Sequence, residues 1–558
     1  MRVFKSFDAR FPLCSIMGEA TNLSLVPQRP SFMYRRGITR ASTHFTAMSF
    51  DHTHYYRLTT RIAGREQALD VSPDGSGHVT LAEPAESSGQ YWKLTPIADN
   101  RYALHTAYLG DGLSLTLDNQ GLVSLSPTTL SAGQSWNLHA NTSGTYALMN
   151  DLCGSQTCLR LRKQAVVTTR QARGRPRHPQ WSLTKLTPIP EQAAIPDLTP
   201  APDVYCPEGC TDFAFYARPV GHLKAVMLFV DFPDAPAGAC VPLDQATHLL
   251  GNGQAQRLFH DQSHGTFALT VDILDHLGWR RLAQSSSNYN WHDFTSHRQY
   301  IADAAALFAG ELDFSTYQFV LIVAPPNAGF PDSPAFNARP GQGASSASGE
   351  IRLAVTFGQD SYRNSYINLV HEVSHLMGLP DLYPYGAGVD TSRAGCWDIM
   401  SDIFHCTTFL GWHRHKNGWL DTSRTIYLSE SPQERYITLS PLSSRYGISM
   451  VVVPIDDPQS PSKVFVVELA QPREDAPNGR PREGVLVYSV NSTVPTGHSP
   501  VVVHPKIDSS SLEQGYLFEA PYGVGDTASV VDGNSRLTAT VLQQFGAFYH
   551  LKLSYTRQ

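Results

Sequence analysis

The chain has no long apolar run and few charged residues. None of its short apolar runs approaches the about 20 residues of a membrane-spanning helix, so no such span is predicted. Charged residues make up 16% of the 558 residues, and 43 Lys and Arg against 49 Asp and Glu give a net charge of −6. This balance excludes an electrostatic case for nucleic-acid binding. Abundant Gly and Pro favour β-rich structure with many turns, and the length predicts more than one core.

The N-terminal segment lacks a secretory apolar core. We expect residues 1–51 to be unstructured or a gene-model artefact, with Met48 as the true start. An organelle transit peptide is the alternative interpretation. Neither start provides a visible export signal, so leaderless export and a cytoplasmic location both stay open.

Eight cysteines favour an oxidising compartment. None of them shows the spacing of a second metal site. Six lie in close pairs, which predicts two or three short-loop disulfides. The pairs are Cys153 with Cys158, Cys206 with Cys210, and Cys396 with Cys406, leaving Cys14 and Cys240.

An eleven-residue stretch, His371 to Asp381, has the pattern of a zinc site. His371 and His375 are four residues apart, so on a helix both imidazoles point to one side. Gly378 can adopt positive φ and end the helix, after which Asp381 can turn back toward the metal. The spacing predicts one catalytic Zn²⁺ bound by His371, His375 and Asp381. Binding of Ca²⁺ is compatible with the sequence, but no pattern predicts a site.

The residue after the first histidine is the candidate catalytic base. Zinc lowers the pKa of its bound water to about 7. Glu372 would take the proton of this water and pass it to the leaving amine. Asp381 adds negative charge, which should make the zinc a weaker Lewis acid. Tyr383 and Tyr385 are candidates for stabilising the oxyanion, and an aromatic pair that only packs beside the site is an equally open interpretation.

The segment around these residues resembles a peptidase family. His-Glu-x-x-His-x-x-Gly-x-x-Asp is similar to the metzincin pattern, with Asp381 in place of the more common third histidine. Together with Gly395-Cys396-Trp397-Asp398-Ile399-Met400-Ser401, it resembles the immune-inhibitor-A-like metallopeptidases. The resemblance covers about residues 206–500. It implies an α+β metzincin-like zincin domain, a methionine turn carried by Met400, a protein or peptide substrate and an extracellular, secreted location.

The N-terminal third contains an internal repeat. Trp92, Trp136 and Trp181 stand 44 and 45 residues apart, after Gln-Tyr, Gln-Ser and Gln respectively. Alternating segments and frequent Gly, Asp and Asn turns make each unit strand-rich. Units of this length have no core of their own, so the three must pack together.

These Gln-x-Trp units resemble a ricin-type (R-type lectin-like) β-trefoil over residues 52–187. In that lectin family an early aspartate holds the sugar and a nearby aromatic residue stacks on it, which implies glycan binding by Asp70. The corresponding stretch Val79-Thr80-Leu81 has no ring. Thr116 and Arg160 stand at the aspartate position in the other two units. The resemblance therefore implies carbohydrate binding at one site at most.

Composition divides the rest of the chain into three parts. Residues 188–205 are rich in proline and predict a stiff linker. The catalytic domain is expected over 206–422 and a β-rich C-terminal domain over 423–558. Three catalytic-domain elements are predicted: a helix over 302–309, a buried strand over 319–324 and a strand at the cleft over 351–357.

Two function classes are compatible with the sequence. The first is a zinc-dependent endopeptidase that an N-terminal lectin-like domain directs to glycans. The second is a carbohydrate- or protein-binding trefoil protein whose peptidase domain is a catalytically silent scaffold. The intact Glu372 favours the first class, because a scaffold has no need of the base.

Overall fold

The computed structural model shows a β-rich, multidomain protein with few helices, which confirms the fold class at this level. No helix in the described part of the chain is long and apolar enough to cross a membrane. The structure describes residues 50–72, 76–98, 100–129, 131–141, 144–153, 159–161, 167–169, 180–189, 194–364, 366–386, 392–406, 408–470, 482–506 and 517–558.

The N-terminal domain consists of three four-stranded units. Their strands are β1 (His54–Ile62), β2 (Arg65–Val71), β3 (Val79–Ala82) and β4 (Trp92–Ala98); β5 (Arg101–Thr106), β6 (Leu113–Leu117), β7 (Val123–Pro127) and β8 (Trp136–Ala140); β9 (Tyr146–Asn150), β10 (Leu159–Leu161), β11 (Val167–Thr169) and β12 (Ser182–Pro188). The last strand of each unit pairs with the first strand of the next, and β12 returns to β1. The three units therefore close into a ring.

The repeated tryptophans fill the centre of this domain. Trp92, Trp136 and Trp181 are fully buried. The indole of Trp92 donates to Leu69 O at 2.9 Å, and that of Trp136 donates to Leu115 O at 2.7 Å. The equivalent contacts show that the 44-residue spacing repeats a three-dimensional unit. Among the described residues, Trp181 Nε1 has no hydrogen-bond acceptor.

Phe50 closes one end of the ring. Its ring contacts those of Tyr56, Tyr102 and Tyr146, at centroid distances of 5.5, 5.6 and 5.2 Å. These tyrosines occupy equivalent positions in β1, β5 and β9. The expectation that residues 1–51 stand outside the folded part is therefore wrong for Phe50 and its neighbour Asp51, whose carboxylate pairs with Lys185. Residues 1–49 lie outside the described residues.

The middle domain is built on a mostly parallel sheet. Its elements are β13 (Gly221–Asp231), α1 (Pro242–Leu250), α2 (Gln254–Gln262), β14 (Phe267–Ile273), β15 (Arg280–Arg281), α3 (Phe294–Ala306), β16 (Phe319–Val323), β17 (Ala335–Asn337), β18 (Ala344–Ser346), β19 (Gly349–Ile351), β20 (Leu353–Phe357), α4 (Tyr366–Leu376) and α5 (Gly411–Lys416). The sheet order is β14-β13-β16-β20-β17, with β17 antiparallel to its neighbour and β15 added to β13. Helices cover both faces, so the central strands are apolar on both sides.

Two of the three predicted elements needed correction. The strand predicted over 319–324 is confirmed as β16. The predicted helix 302–309 begins eight residues earlier, at Phe294, because the Asp293 side chain accepts a hydrogen bond from Ser296 N and caps the first turn. The strand predicted at the cleft over 351–357 is divided, because Ile351 ends β19 and β20 begins at Leu353. The short β17 pairs with β20 and takes the edge position.

The C-terminal region forms two antiparallel-rich sheets. The strands are β21 (Thr425–Tyr427), β22 (Gln433–Leu439), β23 (Met450–Pro454), β24 (Lys463–Ala470), β25 (Gly484–Asn491), β26 (Val501–Val503), β27 (Thr527–Asp532), β28 (Ser535–Phe545) and β29 (Phe548–Arg557). One sheet has the order β21-β23-β24-β25-β26 and the other β22-β29-β28-β27. Alternate residues of β23, Met450 and Val452, pack into the core of the middle domain, whereas Val451 and Val453 pack against the second sheet. The first sheet is therefore buried on both faces.

The N-terminal domain packs on this C-terminal region. Phe548 belongs to the N-terminal hydrophobic core, with its ring 4.5 Å from that of Tyr108. The backbones come close at Gly110, where an added Cβ would lie 3.2 Å from Gly447 Cα. The N-terminal domain thus shares apolar contacts with the rest of the chain in addition to its covalent linker.

The predicted disulfides are absent among the cysteines that the structure describes. Cys206, Cys210, Cys396 and Cys406 all carry free thiols, so these two predicted pairs are wrong. In the first pair, Cys206 is buried whereas Cys210 is exposed. In the second pair, the thiol of Cys406 donates a hydrogen bond to Thr408 O. The thiol pair Cys153 and Cys158 lies outside the described side chains. The four described cysteines of these pairs therefore give no support to an oxidising compartment.

Candidate metal centre

Helix α4 carries the first two candidate ligands. Its apolar residues, including Leu369, Val370 and Val373, are buried in the middle core, which holds the helix against the sheet. Gly378 follows with φ of +88°, and an added Cβ there would lie 2.7 Å from Thr211 Cγ2. The predicted helix and its glycine end are therefore confirmed, and the tight turn leads directly to Asp381.

The structure brings the three predicted ligand atoms together. His371 Nε2 and His375 Nε2 are 3.2 Å apart. Asp381 Oδ1 lies 3.1 Å from the first nitrogen and 3.4 Å from the second. Within the described residues, this is the one group of three or more His, Cys, Asp or Glu side chains whose geometry could hold a metal ion.

Backbone carbonyls orient both imidazoles. His371 Nδ1 lies 3.0 Å from Ile399 O, and His375 Nδ1 lies 2.8 Å from Leu379 O. A carbonyl can only accept, so each Nδ1 carries a proton and donates it. In a neutral imidazole this leaves Nε2 with a free lone pair, directed at the shared point.

The third candidate ligand, the Asp381 carboxylate, is buried. Asp381 Oδ2 accepts a hydrogen bond from Tyr385 Oη at 2.7 Å. Asp381 Oδ1 is buried and accepts no hydrogen bond of good geometry from the described residues. Burial alone would raise the pKa of Asp381, but the two histidines outweigh it and hold that pKa well below its usual range. The same carboxylate raises the pKa of His375 to about 9 against the opposing effect of burial.

Glu372 lies on the wall of a cavity of about 580 Å³ that opens onto the three ligands. Burial raises the pKa of Glu372 to about 7, and the adjacent histidines only partly counteract this effect. Asp360 also lines the cavity, and Asn368, one helical turn before Glu372, donates to it at 3.4 Å. No Lys or Arg is among the described residues that line this cavity.

Met400 lies in a turn over residues 398–401 that contacts α4 through His371. Its side chain is fully buried in the same core as α4. Its carbonyl accepts from Leu382 N at 2.9 Å, next to Asp381 in sequence. Asp398 holds the turn by accepting from Met400 N at 2.8 Å. The turn thus supports His371 through Ile399 O and the third ligand through Met400 O.

The two candidate tyrosines lie side by side in the wall of the cavity. The ring of Tyr383 is 6.4 Å from that of His371, and the two tyrosine rings contact each other edge to face at 5.9 Å. The hydroxyl of Tyr385 donates to Asp381 at 2.7 Å, and the Tyr383 hydroxyl also interacts with this carboxylate. Both tyrosines therefore help to orient Asp381, and Tyr383 is the one beside His371.

Several site residues were not predicted from the sequence. Thr496 and Gly497, from the C-terminal region, bind the Asp381 backbone. They are more than 110 residues away in the chain and belong to no motif, so no sequence signal could have found them. Asn368 could have been found, because it lies three and four residues before His371 and Glu372 and so shares their helix face.

The candidate glycan residue, Asp70, serves an internal contact. Its Oδ2 accepts from Gln90 Nε2 at 3.0 Å, and its Oδ1 accepts from Val71 N at 2.8 Å. In the second unit, Gln134 Nε2 makes the equivalent bond to Thr116 Oγ1 at 3.1 Å. The side chain of Arg160 lies outside the description. Both oxygens of Asp70 therefore stabilise the repeat.

No protein-family model and no curated protein matches the chain. Some solved structures resemble about a quarter of it. The designed threefold-symmetric protein ThreeFoil is 25% identical over 24% of this chain and 99% of that one, with a TM-score of 0.21. A lectin of Polyporus squamosus is 16% identical over 25% of this chain and 51% of that one, with a TM-score of 0.22. A mosquitocidal holotoxin is 15% identical over 25% of this chain and 18% of that one, with a TM-score of 0.22. Likeness at these TM-scores assigns neither fold nor function.

Proposed function

We propose that this protein is a zinc-dependent endopeptidase with a metzincin-like α+β catalytic domain. The observation that carries the proposal is the triangle of His371 Nε2, His375 Nε2 and Asp381 Oδ1, with sides of 3.1 to 3.4 Å. Zinc binds nitrogen and oxygen at about 2.0–2.1 Å, and tetrahedral geometry then separates the ligand atoms by about 3.3–3.5 Å. The donor set therefore fits one zinc ion, and the three donors lie at the wall of the cavity.

The chemistry of the donors supports the same conclusion. Three atoms with lone pairs face one another on two buried residues and one half-buried residue, which is unfavourable unless a cation or a proton lies between them. A shared proton on His375 is the alternative to a metal, since its pKa is raised to about 9. The two alternatives differ in metal content, which can be measured directly.

Peptide hydrolysis follows from the groups around this centre. A bound zinc ion would polarise the carbonyl of the scissile peptide bond and lower the pKa of its bound water. Glu372 faces the same cavity and would take a proton from the water and deliver it to the leaving amine. Tyr383, beside His371, is positioned to donate to the oxyanion.

The sheet edge beside the centre favours an extended peptide as substrate. Ala335 and Asn337 of the edge strand β17 line the cavity. Among the described strands, β17 pairs with β20 alone and ends the sheet. An extended peptide can add to such an edge through main-chain hydrogen bonds. This supports a protein or peptide substrate over a small molecule.

Metal content and protein hydrolysis test the proposal together. The purified chain should hold one zinc per molecule by elemental analysis and cleave an unfolded protein substrate. Glu372→Gln should retain zinc and lose about 10²–10⁴-fold in turnover, whereas Glu311→Gln, at an exposed site, should behave as wild type. His375→Ala should lose zinc, and His276→Ala should not. Unchanged turnover in Glu372→Gln, or no zinc in the wild-type protein, would refute the proposal.

We also propose that the N-terminal domain is a ricin-type β-trefoil. The closed ring of three units, the buried tryptophans and the equivalent contacts of Gln90 and Gln134 support it. Carbohydrate binding has less support, because the oxygens of Asp70 are both occupied and the stretch 79–81 has no ring. A glycan array with wild type and Asp70→Ala tests the alternative function of a binding protein with a silent peptidase scaffold. Glycan binding without zinc or proteolysis would favour that alternative.

A further inference from the structure

A loop from the C-terminal region reaches the candidate metal centre. This loop, residues 492–500, connects β25 to β26. Its polar groups contact the segment that carries the third ligand, 115 residues earlier in the chain. The loop therefore joins two regions that the sequence assigns to different domains.

The contacts fix the Asp381 backbone on both sides. Asp381 N donates to Thr496 Oγ1 at 2.9 Å, and Gly497 N donates to Asp381 O at 3.0 Å. Tyr385 N donates to Gly497 O at 2.9 Å, and the Tyr385 hydroxyl lies 3.4 Å from Thr496 Oγ1. The residue that supplies the third ligand is thus held by two loop residues, and both of them also contact Tyr385, the donor to its carboxylate.

Nothing local replaces these contacts. Asp381 lies outside helices and strands, after the turn at Gly378. The nearest backbone bonds of its own region are Leu379 N to Ser374 O and Leu382 N to Met400 O, which leave the Asp381 N–H and C=O to the loop. A buried N–H without an acceptor costs about 1–3 kcal/mol, so the Thr496 hydroxyl strongly favours this one backbone position.

The loop is itself held firmly to the sheet. Ser492 N donates to Ser462 O at 2.9 Å, and Ser492 Oγ donates to Thr199 O at 2.7 Å. Asn491 N donates to Pro500 O at 2.9 Å and closes the base of the loop. Because one face of this sheet packs into the middle core, the position of Thr496 relative to α4 is set by a continuous packed layer.

We propose that Thr496 is a positioning residue for the metal ligand Asp381, and that the C-terminal sheet is thereby part of the metal centre. The inference rests on the proposed function, since it assumes that Asp381 binds the metal. Groups that orient metal ligands are typically worth about 10–100-fold in metal affinity. Thr496 also lines the cavity, and in this proposal it acts through the backbone of Asp381.

The test compares four full-length proteins by zinc competition with a chromophoric chelator. Thr496→Val removes the acceptor at nearly constant volume and should weaken zinc binding about 10–100-fold. Thr496→Ser keeps the hydroxyl and should bind within about threefold of wild type. Thr493→Val is the matched control in the same loop, because among the described residues Thr493 Oγ1 donates only to Asn491 Oδ1, at the end of β25. The visible spectrum of the Co²⁺-substituted protein should change in Thr496→Val alone.

Melting of the metal-free proteins separates positioning from a general loss of structure. Metal-free Thr496→Val should melt within a few degrees of Thr493→Val. Equal zinc affinity in Thr496→Val and wild type would overturn the inference and leave the proposed function intact. An equal loss in both valine variants would also overturn it, since the effect would belong to the whole loop. If Thr496→Val does not fold, Thr496→Ala must bind zinc at least about tenfold more weakly than Thr496→Ser. A wild-type protein without zinc affinity would instead refute the proposed function.

Discussion

His413 is a fully buried histidine between two carboxylates, and its titration should control stability at alkaline pH. Nε2 lies 3.0 Å from Glu208 Oε1, and Nδ1 lies 2.8 Å from Asp398 Oδ2. Burial opposes the charged imidazolium, but the two carboxylates prevail and raise the pKa of His413 to about 10. Asp398 also holds the turn of Met400, so this cluster connects α5 to the base of the candidate metal centre.

The sign and size of the effect follow from linkage. A histidine whose folded pKa exceeds its unfolded value stabilises the fold fully below the unfolded pKa. That stability is lost as the pH rises through the folded pKa. The rise from 6.5 to about 10, at about 1.4 kcal/mol per pH unit, is worth about 4–5 kcal/mol. The free energy of unfolding should therefore fall by about 3–4 kcal/mol between a pH of about 6.5 and one of about 9.5.

Urea unfolding at the two pH values measures this contribution. The double variant His413→Gln, Glu208→Gln removes one positive and one negative charge and keeps groups that can hydrogen-bond. The pH dependence of its unfolding free energy should be smaller than that of wild type by about 3–4 kcal/mol. His276→Gln with Glu311→Gln makes the same exchange at exposed positions and should match wild type. An equal pH dependence in wild type and the buried double variant would refute the reasoning.

Three further predictions concern the glycine turn, the domain contact and the metal. Gly378→Ala forces a φ of +88° on alanine and places Cβ 2.7 Å from Thr211 Cγ2. It should lower the thermal midpoint more than Gly278→Ala does, since Gly278 has φ of +65° and open space around it. Phe548→Ala empties a site in the N-terminal core and should cost about 3–5 kcal/mol in chemical denaturation; a loss below about 1 kcal/mol would show that the two domains do not depend on this contact. Chelation should lower the melting temperature, and free zinc at about 1,000 times its Kd should restore about 4 kcal/mol; the same zinc dependence in His375→Ala would contradict the ligand assignment.

Local periodicity accounts for what could be predicted of the candidate site. The spacing of His371 and His375 requires only a helix, and the apolar residues of α4 are sufficient to form one. Gly378 ends it because glycine tolerates positive φ, which the observed +88° requires. The repeat of 44 and 45 residues was equally accessible, since the three similar units all bury a tryptophan at the same position. Helix and strand boundaries were less accurate where one side chain, such as the Asp293 cap, decides them.

The sequence by itself thus determined the repeat of the N-terminal domain, the helix that carries His371 and His375, and the residue types that converge beside it. Only the tertiary structure decided that Thr496 and Gly497 hold Asp381, that β17 and not β20 forms the sheet edge, and that the two predicted cysteine pairs of the middle domain are not joined by disulfides. The physical reason is the distance along the sequence between the residues that interact. Helix geometry and glycine dihedral angles act over a few residues and leave a pattern in the sequence. A hydrogen bond between residues 115 positions apart depends on how whole sheets pack, and no local pattern records it.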